Sequence, residues 1–216
     1  MSRPPSRRRT DLSESAERVE PTVPLIGLTG GMGAGKSTAL QALERLGAAV
    51  QSTDAVVHEL YEGRQLREAV LARWGDEVAP GGVVDRAEVA RRAFADEEGR
   101  AWLEATVWPL VGERMGSWLA QARALEPAPR AIVVEVPLLF EAGMEGAYDA
   151  TLAVVAEEGL REQRAAGRGH ALTAERAARQ LSQEEKAARA TYVVENNGSV
   201  EELERELSGV LDKLGR

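Results

Sequence analysis

The chain has 216 residues, a formal net charge of −8 and no cysteine. That length suits one full α/β domain with an elaboration and is too short for two large ones. The negative charge argues against a general nucleic-acid binder, no apolar run approaches the roughly 20 residues of a membrane span, and disulfide or thiolate–metal frameworks are excluded, which fits a reducing cytoplasmic setting.

Residues 1–22, rich in Arg, Ser, Pro and Glu with no apolar stretch, read as a disordered tail and not as a secretory signal. "VPLIGLT" (23–29) is an apolar run closed by glycines, the pattern of a buried strand. A helix follows from about Lys36 to Leu46, with Leu40, Leu43 and Leu46 at helical spacing and Gly47 as its stop. "AAVQS" (48–52) reads as a second strand. From Asp54 to about Arg123 the pattern is nearly all helical, broken by "APGG" at 79–82, and it contains Trp74, Trp102, Trp108 and Trp118. "AIVVEVPLLF" (131–140) starts as a buried strand and "ATLAVVA" (150–156) predicts another, followed by helices around 157–166 and 173–189, a last strand "TYVVEN" (191–196) and a closing helix from Val200. Strands separated by helices predict an α/β fold with a parallel five-stranded sheet covered on both faces. The expected organisation is an α/β core over 23–57 and 127–216, with a lid around 160–185, and a helical insertion over 58–126.

"GGMGAGKS" satisfies G-x-x-x-x-G-K-[ST] with Gly30, Gly35, Lys36 and Ser37. Such a loop wraps an anion with backbone N–H groups, and Gly31, Gly33 and Ala34 keep that approach open. Lys36 reaches the β- and γ-phosphates, Ser37 offers its hydroxyl to Mg²⁺, and Thr38 falls near the α-phosphate. A dinucleotide G-x-G-x-x-G does not fit, because a frame starting at Gly31 puts Lys36 at its third glycine. The loop therefore predicts a nucleoside triphosphate. The only lysines are Lys36, Lys186 and Lys213, and none sits in the Asn-Lys-x-Asp of a guanine switch.

Asp54 lies just past the second strand, on the edge where ligands bind in doubly wound sheets. It could accept a hydroxyl proton and aim that oxygen at the γ-phosphoryl group. It could equally be the N-cap of a helix starting near Ala55. Glu135 interrupts a buried strand, where an unpaired charge costs about several kcal/mol. It reads as an acid holding metal-bound water, against an edge position turned to solvent. Arg161, Arg164 and Arg168 fall at i, i+3 and i+7. Arg161 can pair with Glu157 one turn earlier, whereas Arg164 and Arg168 lack an acidic neighbour and would gain from an anion. A loop beginning at Gly167 could carry Arg168 over the triphosphate as a lid; a solvated arginine face is the alternative. "ENNG" (195–198) signals a turn, with Asn196 a candidate for the nucleobase pocket. His58 and His170 form no metal-ligand spacing, and Trp108 reads as core.

Taken together, "IGLTGGMGAGKS", "TDAVVHELY", "GGVVDRAEVARRAF", "VEVPLLFEAGM" and "LSQEEKAARATYVVENNGS" resemble the dephospho-CoA kinase family from about Leu25 to the C-terminus. "PLLFE" (137–141) is the most distinctive part. The resemblance implies phosphate transfer from ATP to the ribose 3′-hydroxyl of dephospho-CoA, the last step of coenzyme A synthesis. It also implies a nucleotide-monophosphate-kinase-like core, an acceptor-gripping helical insertion and a lid. By position, Asp54 resembles the catalytic base, Lys36 and Ser37 the phosphate and magnesium contacts, and Arg164 and Arg168 lid residues. Arg86 and Leu138 match positions near the acceptor. Four positions depart from the family pattern: Ser52 for the first acid of Asp-x-Asp, Trp108 for the histidine of His-Pro, Glu135 for Asp, and Thr191 for Asp. A kinase for another small acceptor and a non-catalytic nucleotide-binding regulator are the rival expectations.

Overall fold

The computed structural model describes residues 22–166 and 180–215. Its frame is a single parallel sheet of β1 (Leu25–Gly30), β2 (Ala49–Ser52), β3 (Ile132–Glu135), β4 (Ala150–Val155) and β5 (Tyr192–Glu195) in the order β2-β3-β1-β4-β5. Helices α1 (Lys36–Arg45) and α8 (Val200–Leu214) pack on each other over one face of the sheet. Between β2 and β3 come α2 (Thr53–Glu62), α3 (Arg64–Trp74), α4 (Arg86–Ala93) and α5 (Glu97–Arg123). Helix α6 (Glu158–Ala166) follows β4, and α7 (Gln183–Arg189) precedes β5.

Burial on both faces explains why the central strands β1, β3 and β4 read as largely apolar runs and not as alternation, whereas the edge strands β2 and β5 are less buried. Side chains still alternate in direction, and each set finds its own core. Ile26, Leu28 and Val133 point to the cluster with Leu43, Leu203, Leu207 and Leu211 of α1 and α8. Leu25, Ile132 and Val134 point the other way, to Leu139, Phe140 and Ala122. A third cluster, built on Val56, Leu66, Val70, Val89, Val107 and Val111, belongs to α2–α5 themselves. Helix α5 joins the last two, since Met115 packs against both.

Several sequence expectations shift in detail. The strand expected to open the 131–140 run ends at Glu135, as its place at the strand end required, and Val136, Leu139 and Phe140 are buried beyond it. Pro137 lacks the N–H that a longer ladder would need. Of the helix expected over 173–189, the described part starts at Gln183, behind a capping box of Ser182 and Glu185; residues 173–179, like Arg168, His170 and the tail 1–21, lie outside the described residues. Trp108 is not core: it is 62% exposed. At about 100° per residue the inward stripe of α5 falls on Val107, Leu110 and Val111, so position 108 turns outward. The other tryptophans do pack, with Trp74 edge-on to Trp102 at 4.9 Å and Trp118 against the sheet-side cluster. Thr191, which departs from the family pattern, exchanges hydrogen bonds with Thr151: each backbone N–H donates to the other's hydroxyl, at 3.1 and 3.0 Å.

The packing of α8 carries a direct test. Leu207 is 0% exposed between helix and sheet, so Leu207→Ala should lower unfolding stability by about 2–5 kcal/mol in urea titration. A loss below about 1 kcal/mol would mean that the helix does not pack as described.

Candidate active site

The site is built on the carboxyl edge of the sheet. Leu28 of β1 and Ser52 of β2 both pair with Glu135 of β3, so β2 and β3 end at one level and β1 runs two residues past it to Gly30. From β1 the chain enters the glycine loop; from β2 it turns into α2; from β3 it enters "VPLLFE". The glycine loop, Asp54, Glu135 and Leu138 are thus gathered at one edge, from the 109 residues between Gly30 and Leu138 inclusive, by the parallel strand order.

The loop turns on glycines that no other residue could replace. Gly33 and Gly35 have φ of 75° and 89°. A Cβ on Gly33 would run into the Arg161 carbonyl, and one on Gly35 into the Asn196 amide. Gly35, left-handed, is the N-cap of α1, with no side chain capping the first turn and no acidic residue in it. Those amides, reinforced by the helix dipole, are suited to an anion. Ser37 is exposed in that first turn and Thr38 half-buried beside it. The Lys36 ammonium donates to the carbonyls of Gly30 and Gly31, each at 3.1 Å, which holds it across the loop.

Two further carbonyls of the loop are held from distant parts of the chain. Asn196, only 6% exposed, donates from its side-chain amide to Ala34 at 2.9 Å. Its own backbone N–H donates to Val155 at 2.8 Å, extending the β4–β5 pairing to the loop. Arg161 donates through Nε to the Met32 carbonyl at 3.1 Å. The expected Arg161–Glu157 side-chain pair is not formed; those residues share only the helical backbone bond. The sequence signal was available, because Arg161 lies on the same helical face as Arg164. Arg164 is the neighbouring brace, its Nη1 donating to the Asn196 carbonyl at 3.1 Å. Beside these groups opens a cavity of about 580 Å³, lined by Gly31, Arg161, Leu181, Ser182, Gln183 and Glu184 among others. The Glu184 carboxyl is held below its usual range by its own backbone amide, by the Ser182 hydroxyl and, more weakly, by the Arg161 guanidinium.

Asp54 is exposed in the first turn of α2. The helix starts at Thr53 with Ser52 as its N-cap, so the alternative of Asp54 as cap does not hold. The Thr53 hydroxyl donates to the Glu135 carbonyl at 3.0 Å and fixes the start of α2 against β3. Glu135 itself is 9% exposed, and among the described residues no side chain pairs with its carboxylate. Further along α2, Asp54, His58 and Tyr61 recur at i, i+4 and i+7 and share one face. Arg86, at the first position of α4, meets that face: its Nη1 is 2.7 Å from His58 Nδ1, and its guanidinium lies 5.5 Å from the Tyr61 ring centre. Burial pushes the Tyr61 hydroxyl above its ordinary pKa, and Arg86 pulls it back.

The loop braces are open to measurement. Asn196→Ala leaves the Ala34 carbonyl without its donor and should cost about 1–3 kcal/mol in chemical denaturation. An unchanged midpoint would mean that Asn196 does not hold the loop.

Comparison with known proteins agrees with this geometry. The dephospho-CoA kinase family model matches residues 24–202. The dephospho-CoA kinase of Deinococcus radiodurans is 39% identical over 208 residues, 94% of this chain and 99% of the relative. That of Rhizobium meliloti is 37% identical over 194 residues, 88% and 97% of the two chains. Among solved structures, TT1252 from Thermus thermophilus superposes with a TM-score of 0.72 at 39% identity, covering 89% of this chain and 98% of that one. The dephospho-CoA kinase of Campylobacter jejuni shares the fold, with a TM-score of 0.62 at 23% identity over 88% and 96%. The parallel sheet flanked by helices is therefore that of a P-loop kinase, and the chain belongs to the dephospho-CoA kinase family.

Proposed function

We infer that this chain phosphorylates the ribose 3′-hydroxyl of dephospho-CoA with ATP, and that Asp54 is the base that activates that hydroxyl. The observation that carries the assignment is the shared sheet edge. Asp54 stands in the first turn of α2, and one strand, β3, separates β2 from the strand that feeds the phosphate loop. A carboxylate there faces the crevice from the acceptor side.

The chemistry asks for little covalent participation by the protein. The hydroxyl oxygen forms a bond to the γ-phosphorus as its proton passes to the Asp54 carboxylate. The bond from that phosphorus to the β–γ bridging oxygen breaks, and ADP leaves. Lys36 balances charge gathering on the transferred group, while the amides from Gly30 to Thr38 grip the remaining phosphates. Arg164 and Arg168 are assigned to the same charge from the other side, the latter from outside the described residues. Arg86, Leu138 and the helical unit 58–126 are assigned to holding the acceptor. Asn196 lies at the nucleotide end through its hold on Ala34.

The donor set also suits Mg²⁺. Among the described residues no cluster of three or more His, Asp or Glu side chains stands ready for a metal, but Mg²⁺ on a nucleotide needs only one or two protein groups besides phosphate and water. Ser37 would hold it directly, and the buried, unpaired Glu135 carboxylate would hold its water. When bound it would draw charge from the β- and γ-phosphate oxygens. The reaction as proposed takes place in the cytoplasm on a small-molecule substrate, with neither nucleic acid nor membrane taking part.

Incubation with ATP, Mg²⁺ and a panel of alcohols and mononucleotides, followed by mass spectrometry, tests the assignment. The new phosphate is expected on the 3′-oxygen of dephospho-CoA. Phosphorylation of a mononucleotide instead, or no acceptor-dependent ADP release, would overturn it. Asp54→Asn should lower kcat by roughly 10²- to 10⁴-fold with ATP affinity nearly unchanged; near-normal turnover would remove Asp54 from the chemistry. Lys36→Ala should weaken both ATP binding by calorimetry and turnover, and an unaltered affinity would count against the cradle.

A further inference from the structure

Lys186 takes no part in the roles assigned so far, yet it is the largest fully buried side chain of the described residues, at 0% exposure. Its ammonium donates to the Pro137 carbonyl at 2.6 Å and lies 2.9 Å from Glu141 Oε1. The same Pro137 carbonyl accepts the buried Thr29 hydroxyl at 3.4 Å. Glu141 Oε1 also accepts the Leu181 backbone N–H at 2.8 Å, while Glu141 Oε2 is buried without a hydrogen-bond partner. Stability is a poor reason for such an arrangement. An ion pair taken out of water with one oxygen unsatisfied is commonly matched or bettered by apolar side chains of similar volume.

Its place in the fold supplies another reason. Thr29 immediately precedes Gly30, the first residue of the phosphate loop. Pro137 is two residues beyond Glu135. Leu181 lines the cavity beside the loop, and α7, which carries Lys186, is tied to the end of β4 by the Ala156 N–H donating to Gln183 at 2.8 Å. One ammonium therefore joins the root of the loop, the segment that follows the buried acid, and the cavity wall. We propose that Lys186 is a positioning residue for phosphoryl transfer: it fixes the Pro137–Glu141 segment and the start of α7 relative to the phosphate loop. A short-range charge–carbonyl contact suits this task, since it is directional and tolerates little displacement in a dry setting.

The proposal rests on the kinase reading above, and wild-type turnover of dephospho-CoA is its control; a wild type without turnover would defeat that reading, not this one. Two variants are compared: Lys186→Met, and Lys186→Met combined with Glu141→Met, which removes both buried charges. With Lys186→Met, kcat should fall about 10- to 100-fold while KM for ATP and for the acceptor stay within about threefold, at a temperature well below its melting midpoint. The double variant should regain the wild-type melting midpoint, or exceed it, and keep the low kcat. Recovery of kcat together with the midpoint would overturn the proposal, because Lys186 would then serve folding alone. So would a single variant whose kcat stays within about twofold of wild type, or a loss carried by KM only. If Lys186→Met does not fold, the double variant decides by itself, since it leaves no unpaired charge behind.

Discussion

A glycine loop suited to offer its N–H groups to an anion needs its carbonyls held by other groups. In a trans peptide the C=O and N–H point in opposite directions; whatever fixes one fixes the other. Here the carbonyls of Gly30 and Gly31 are taken by Lys36, that of Met32 by Arg161 and that of Ala34 by Asn196. Three of these four contacts come from cationic groups. These cations also add positive potential around the loop, which an anion held there would feel. The brace and the field are the same residues.

The sheet decides what faces this loop. Because β3 lies between β1 and β2, the buried Glu135 stands between the strand that feeds the glycine loop and the strand that leads to Asp54. In the proposed reaction that order would let Glu135 serve the metal side and Asp54 the acceptor side of one phosphoryl group. Three of the four departures from the family pattern fall around this centre, and the fourth, Glu135 in place of Asp, lies on it. Thr191 is absorbed by its reciprocal bonding with Thr151 at the far end of β4 and β5, and Ser52 ends β2 as the N-cap of α2. Trp108 stands exposed on α5, where it changes the surface and not the core.

Local signals in the sequence carried the parts of the site that are local. The glycine loop is a spacing pattern, and its strand and helix follow from periodicity on either side. Asp54 and Glu135 could be placed at one edge because parallel topology sends every strand end there. The braces were harder to read, for a physical reason. Arg161 meets a backbone carbonyl 129 residues away, and a carbonyl leaves no mark in side-chain sequence. Lys186 was passed over because lysines are almost always exposed unless paired, and its partner Glu141 could be identified only once α7 was seen lying against the loop after β3. Trp108 failed in the opposite way. A large aromatic invites a core assignment, but the stripe of α5 is set by its neighbours' phase, not by the size of one residue.

The distance in sequence between the loop and its braces has a consequence for synthesis on the ribosome. Asn196 follows Ala34 by 162 residues; at roughly 5–20 residues per second, about 8–30 seconds separate their emergence. Through that interval the nascent loop can have Lys36 on Gly30 and Gly31 but lacks the donor to Ala34. The last fastener arrives only when the final strand docks, so a prematurely terminated chain lacking that strand would leave the loop partly unbraced.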